Sequence, residues 1–194
     1  MIYEAAIDED FPLAESDEVA ALGRRDPAAL AGLVERYRHR LYRYLLRLVK
    51  EPAAADDLFQ QTWLNVVRQA GGFHASARFD TWLFSIAHNA AVDWLRRKSG
   101  ESLDECEGRL AAAGPDALAA AISHERAEIL AAEVGALPAL YREALTLRFE
   151  EGMKLEEIAT VTGVPLSTVK SRVQRALEGL RQRMAGRWRK EDLL

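Results

Sequence analysis

The sequence predicts an all-α protein of two small helical domains joined by a flexible linker. Three observations carry that reading. Apolar residues recur at three- and four-residue spacing through most of the chain, the period of a helix buried on one face. No stretch of useful length alternates apolar and polar residues as a half-buried strand does. Between Ser99 and Pro115 the period lapses into Gly, Ser, acids and a run of Ala, which is linker composition. The expected divisions are an acidic N-terminal tail over 1–23, a first helical domain over 24–98, the linker over 99–115 and a second domain over 116–190.

The tail holds Glu4, Asp8, Glu9, Asp10, Glu15, Asp17 and Glu18 with no Lys or Arg before residue 20, and it reads as a solvated arm. Asp26-Pro27 is a helix start, an N-cap followed by proline at the first helical position. The apolar stripe Leu30, Leu33, Val34, Tyr37, Leu41, Leu45, Leu48 then holds helical spacing until Glu51-Pro52, with Arg36, Arg38, Arg40, Arg43 and Arg47 mostly off it. A second helix is expected from about Ala53 to Ala70, burying Phe59, Trp63, Val66, Val67 and Ala70. Its other face carries Asp57, Gln60, Gln61, Leu64 and Arg68, a polar surface around one exposed Leu that suits either solvent or docking.

Gly71-Gly72 breaks that helix, and the chain loops from Phe73 to Arg78. A third helix is expected from about Asp80 to Lys98, with Leu83, Ile86, Ala87, Ala90 and Trp94 inside. Trp82, Ser85, Asn89, Val92 and Arg96 share another face, and an aromatic ring beside Asn and Arg is a way to hold unstacked bases. Beyond the linker, one helix runs from about Asp116 to Gly135. Pro138 opens the next, with Leu140, Ala144, Leu145 and Leu147 inside, and Gly152 ends it.

The last stretch, Leu155 to Leu180, reads as two helices around a tight turn. The first places Leu155, Ile158, Ala159 and Thr162 on one side. Gly163 supplies a left-handed turn residue, Pro165 suits a helix start, and Ser167 and Thr168 suit its first amides. The second buries Val169, Val173, Ala176 or Leu177, and Leu180. Its other face offers Thr168, Lys170, Ser171, Arg172, Gln174 and Arg175. A short helix, a small residue, a Gly four positions on and a basic polar helix make the helix-turn-helix pattern. Lys170, Arg172, Arg175, Arg181, Arg183, Arg187, Arg189 and Lys190 face only Glu178 in a chain of net charge −4, a local footprint for nucleic acid.

Composition excludes several classes. No run reaches the roughly 20 apolar residues of a membrane span, and the acidic start is not a signal peptide, so a soluble cytoplasmic protein is expected. Cys106 is the single cysteine, and nothing basic adjoins it to activate the thiol. The histidines at 39, 74, 88 and 124 lack ligand spacing. No metal site, cofactor or catalytic set is expected, because no paired carboxylates, nucleophile–base pair or phosphate loop is present.

Four segments together resemble one family. They are ERYRHRLYRYLLRLV (35–49), ADDLFQQTWLNVVR (55–68), FHASARFDTWLFSIAHNAAVDWLRR (73–97) and LPALYREALTLRFEEGMKLEEIATVTGVPLSTVKSRVQRAL (137–177). In that order they resemble the extracytoplasmic-function, or group 4, sigma factors of bacterial RNA polymerase. The resemblance covers most of residues 24 to 183, and it implies region 2 in the first domain and region 4 in the second. It implies that Asp57, Gln60, Gln61 and Leu64 dock on the clamp coiled coil of the polymerase's largest subunit, with the flap as a further contact. It implies that the Phe73–Phe79 loop with Trp82, Asn89 and Arg96 opens the minus-ten promoter element and holds a flipped base. It implies that Lys170, Ser171, Gln174 and Arg175 face minus-thirty-five bases while Thr168 and Arg172 face the backbone. An anti-sigma factor is a frequent partner in the family. Gln61 stands where the family usually has Glu, Ala75 where it often has Gly, and Leu155 where it often has an aromatic. The competing reading is a two-domain helix-turn-helix regulator that binds duplex DNA, which would have no use for a single-strand platform.

Overall fold

A computed structural model describes residues 13–24, 26–73, 78–99 and 122–185. The tail before residue 13, the loop at 74–77, the linker with Cys106, the expected helix start at 116 and residues 186–190 lie outside the described residues. The described residues contain no strand. They form α1 (Leu13–Gly23), α2 (Pro27–Val49), α3 (Pro52–Gln69), α4 (Phe79–Ser99), α5 (Ile122–Gly135), α6 (Ala139–Leu145), α7 (Leu155–Thr162) and α8 (Leu166–Ala185). A 3₁₀ turn spans Ala70–Gly72, and a π turn spans Thr146–Glu150.

α1 corrects the expected extent of the acidic tail. Val19 and Leu22 are buried, and Glu18 reaches Arg36 of α2 at 2.9 Å. Two apolar residues three apart make a helix face, but the acids around them hide the period. α2 starts as its sequence dictates, with Asp26 Oδ1 accepting from the Ala28 amide at 2.9 Å and Pro27 in the first turn. Its stripe buries Leu33, Tyr37, Leu41, Leu45 and Leu48, and also Tyr44. On α3 the buried line is Ala54, Ala55, Leu58, Trp63 and Val66, so Val67, expected inside, is 38 % exposed instead. α4 is buried on two sides, because α3 packs on one and α7 on another. Leu83, Phe84, Ile86, Ala87 and Ala91 are all buried, and so is Val92, expected outside, which meets Leu140 of α6.

In the second half, α7 ends at Gly163, whose φ of 66° is left-handed. The Lys154 amide at its start donates to Glu157 at 2.7 Å. α8 begins after Pro165, whose carbonyl accepts from Thr168 and Val169. Of the two alternatives at its middle, Ala176 is buried and Leu177 faces out.

The halves do not merely share a tether. Leu147, Met153, Ile158, Val161 and Val169 belong to the same apolar cluster as Leu83 and Phe84. A polar seam runs beside it. Arg142 of α6 donates to the carbonyls of Arg47 (2.5 Å) and Leu48 (3.0 Å), which end α2, and to those of Leu137 (2.5 Å) and Gly135 (3.2 Å). Burial lowers the Arg142 pKa to about 10 despite the favourable charge of Glu143. Arg40 meets Glu151 at 2.8 Å and Arg47 meets Glu150 at 2.9 Å, placing α2 cations against the π turn. Lys50 donates to the Gly135 carbonyl, and Arg78 lies 3.3 Å from Glu157 of α7.

Candidate nucleic-acid interface

Two surfaces collect the candidate residues. The first is α8. An inward line on a helix follows three- and four-residue steps, and Val169, Arg172, Ala176 and Leu180 lie on it. Arg172 is consequently 6 % exposed and engaged within the protein, which removes it from the expected backbone contacts. Lys170, Gln174 and Arg175 are exposed, with the consecutive Gln174 and Arg175 about one turn beyond Lys170, while Thr168 and Ser171 are half-buried. The Ser171 hydroxyl donates to the Thr168 carbonyl at 2.9 Å, and the Gln174 amide donates to Glu178 at 2.9 Å. Lys170, Gln174 and Arg175 together offer a point charge, an amide and a guanidinium fork, the groups that suit phosphates and major-groove edges.

The second surface is a groove of about 430 Å³ between α3 and α4. The helices run antiparallel, since Lys98 at the end of α4 pairs with Glu51 at the start of α3. Gln61, Asn65 and Gln69 form one wall, and Ser85, Asn89, Asp93 and Arg97 the other, above a floor that includes Leu58, Ile86 and Ala90. Each wall is a polar ladder of four-residue steps, which places its members one above another. Gln61 donates to Asn65 at 3.1 Å, and Arg97 Nε donates to the Asp93 carbonyl at 3.1 Å.

Trp82 closes the loop-proximal end of the groove. It is half-buried, with its ring 5.0 Å from Phe73 and 5.7 Å from Phe79, centroid to centroid. Phe79 is 3 % exposed and sits edge-on to Tyr37 at 5.3 Å, so it serves the core and cannot itself meet DNA. Its position at the first turn of α4, where the chain enters the bundle, explains the burial. Phe73 is half-buried and supports Trp82. The structure thus brings Trp82 and Asn89 into one groove and leaves Arg96, exposed, outside its walls. Arg97, Asp93, Asn65 and Gln69 were not expected there. The signal for them was the pair of four-residue polar ladders, 61-65-69 and 85-89-93-97.

Asp57, Gln60 and Leu64 are exposed on the outer face of α3, with Leu64 at 52 % and Val67 beside it. Gln61 stands at the edge between that face and the groove. Among the described residues no group of His, Cys, Asp and Glu is arranged to hold a metal, and no helix is long and apolar enough to cross a membrane.

The chain matches the family model Sigma-70 region 2 over residues 33–101 and Sigma-70, region 4 over residues 127–180. It is similar to the RNA polymerase sigma-H factor of Pseudomonas aeruginosa, at 35 % identity over 84 % of this chain and 89 % of that one. It is also similar to the ECF RNA polymerase sigma-E factor of Salmonella typhimurium, at 30 % identity over 84 % of this chain and 90 % of the other. Among solved structures, CnrH in complex with the cytosolic domain of CnrY shares the fold, with a TM-score of 0.66 and 22 % identity over 89 % of this chain and 98 % of that one. RpoE from Bartonella quintana, solved with the anti-sigma factor NepR, does so with a TM-score of 0.61 and 23 % identity over 80 % of this chain and 96 % of that one.

Proposed function

The chain belongs to the extracytoplasmic-function sigma factors of the sigma-70 family, and from that premise we propose a division of labour among its surfaces. It is a sigma subunit of RNA polymerase, and promoter recognition and strand opening are its work. The α8 face of Lys170, Gln174 and Arg175 reads the minus-thirty-five element. The groove with Trp82 and Asn89 holds the opened non-template strand at minus ten. Asp57, Gln60 and Leu64 dock on the polymerase clamp, with Gln61 at the border of both tasks. The domains are those expected at residues 24–98 and 116–190, with α1 (Leu13–Gly23) added to the first. The observation that carries the reading is the presence, in one chain, of a basic recognition helix and an amide-lined groove ending in an aromatic cluster.

Physically, the division follows from what each surface can reach. A recognition helix reads base edges in a closed duplex. A groove between two helices admits a base only after it has left the stack, which costs a few kcal/mol. Stacking on an aromatic ring returns roughly 1–3 kcal/mol per base. The groove cannot melt DNA alone on that balance, and polymerase supplies the remainder by fixing both surfaces on one promoter. Separating them along DNA requires the seam between α2 and α6 to part. An anti-sigma protein that holds the halves, and a cytoplasmic location, complete the proposal. The chain carries no catalysis of its own. Permanganate reactivity of minus-ten thymines with core polymerase tests it. Opening that depends on this chain and falls in Asn89→Ala supports it. Specific duplex binding without core, and no opening when core is added, would overturn it in favour of a duplex-binding regulator.

A further inference from the structure

Three arginines of α2 meet two acids of the second half across the seam. Arg40 lies 2.8 Å from Glu151, Arg43 lies 3.4 Å from Glu150 and 3.9 Å from Glu151, and Arg47 lies 2.9 Å from Glu150. Positions 40, 43 and 47 follow three- and four-residue steps, so the cations form one line along the helix. At a rise of about 1.5 Å per residue the line is about 10 Å long.

The first half assembles this line from its own groups. The Arg40 guanidinium stands 5.3 Å from the ring centroid of Tyr37 on α2 and 5.8 Å from that of Phe84 on α4. Both rings are buried, and they hold the fork whether or not a carboxylate faces it. The Arg43 side chain is already half-exposed in the closed chain. The acids cover the line incompletely. Among the described residues, Arg47 Nε and Glu151 Oε1 are buried without an aligned hydrogen bond. When the halves part, the three arginines lose both counter-charges together. A guanidinium fork that fits a carboxylate also fits a phosphate. One DNA strand carries about one phosphate per 3.4 Å of axis, so such a line meets about two or three of them. A single carboxylate satisfies one fork, whereas an evenly charged backbone satisfies the line.

We propose that Arg40, Arg43 and Arg47 form a site for the phosphate backbone of DNA, and that Glu150 and Glu151 occupy it in place of phosphates while the chain is closed. DNA on this face and opening of the seam then favour each other. The proposal rests on the sigma-factor reading for the parting of the halves, and DNA binding by the chain without polymerase tests it separately.

The test uses the full chain and a labelled duplex of random sequence, with affinity measured across a series of salt concentrations. The variant carrying Glu150→Gln and Glu151→Gln should bind more tightly than wild type, with a log–log salt slope steeper by about two to three, close to one per phosphate engaged. Adding Arg43→Ala to that variant should remove about one of these. Adding Arg38→Ala, exposed on the opposite side of α2, should leave the slope unchanged. Holoenzyme rebuilt with Arg43→Ala alone gives a readout that does not depend on the folding of the glutamine variant. Its promoter-binding slope should fall by about one, with base preference unchanged. Equal effects of Arg43→Ala and Arg38→Ala overturn the site, and so does a glutamine variant that binds duplex with the wild-type slope. Polymerase binding lost in Arg43→Ala, with the DNA slope intact, overturns it in favour of an acidic protein partner. None of these outcomes alters strand opening by the wild-type chain, so the sigma reading stands or falls by permanganate reactivity.

Discussion

The Tyr44 hydroxyl on α2 donates to Glu143 Oε1 on α6 across 2.5 Å, and His88 Nδ1 of α4 lies 2.6 Å from the same oxygen. Three helices from both halves meet at one buried carboxylate, which is 1 % exposed. A hydrogen bond to a charged group contributes about 1.5–3 kcal/mol net, and an abandoned buried donor costs about 1–3 kcal/mol. Glu143→Ala should therefore destabilise the protein by about 2–4 kcal/mol in urea melts. Adding Tyr44→Phe to that variant should recover part of the loss, because the stranded hydroxyl goes with it. Additive losses in the double mutant would show that the two groups do not couple.

The same tyrosine sets a pH dependence. Burial first, and the adjacent Glu143 second, hold the Tyr44 pKa well above its ordinary value of 10.0. The folded chain keeps this proton after the unfolded chain has released it. The stability it contributes is thus complete below about pH 10 and declines above it. Arg142 works in the opposite direction, since burial lowers its pKa to about 10 and its charged form is disfavoured in the fold. Comparing wild type with Tyr44→Phe cancels the arginine. Their stability gap should be constant up to about pH 9 and narrow as pH rises past about 10. A constant gap would place the phenol outside the titration.

Arg142 terminates α2 from another helix, its guanidinium spread over four carbonyls. Lysine cannot reproduce that fork. Arg142→Lys should cost about 2 kcal/mol or more and expose the seam to limited proteolysis. Wild-type resistance in the variant would show that the fork does not hold the halves.

On the recognition helix, burial separates two arginines that look alike in sequence. Arg172→Ala should lower the melting temperature and leave the salt slope of DNA binding nearly unchanged, since Arg172 lies inside. Lys170→Ala should reduce that slope by about one counterion. Arg175→Ala should relax one minus-thirty-five base preference by about 1–3 kcal/mol. Equal effects of Arg172 and Lys170 on the slope would contradict the orientation of α8.

Gly163 ends α7 with a left-handed φ of 66°, and a Cβ added there would meet nothing within 4 Å. The residue is needed for its backbone angle alone. Gly163→Ala should cost about 1–2 kcal/mol by thermal melting without altering base preference. A larger loss would mean that α8 has moved.

Most helices were legible because one-sided apolar stripes and caps are local. Asp26-Pro27, the Leu33-to-Leu48 stripe and the Gly163 turn needed only neighbours in sequence. The misassigned positions, Val67, Val92 and Arg172, share a cause: their burial depends on which helix lies opposite. The periodicity of α4 cannot say that Leu140 of α6 packs there, so Val92 reads as an outer residue. Phe79 was placed with DNA because a motif sets residues in order without saying which way they point. The groove was half legible, with Trp82 and Asn89 visible as a face and its second wall hidden until α3 lay alongside.

The seam also sets a quantity that no single surface determines, the threshold dose of the protein. If binding to polymerase needs the halves apart, the apparent affinity is the intrinsic one scaled by the fraction of molecules already open. Each seam contact worth about 1.4 kcal/mol then raises the concentration needed for half-saturation tenfold. Tyr44, Glu143 and Arg142 are buried in the seam, away from the promoter- and polymerase-facing surfaces, yet they govern how competitive the chain is for a limited pool of core. A weakened seam should produce a sigma factor that saturates polymerase at lower abundance and resists displacement by rivals, a gain of occupancy obtained from a loss of stability.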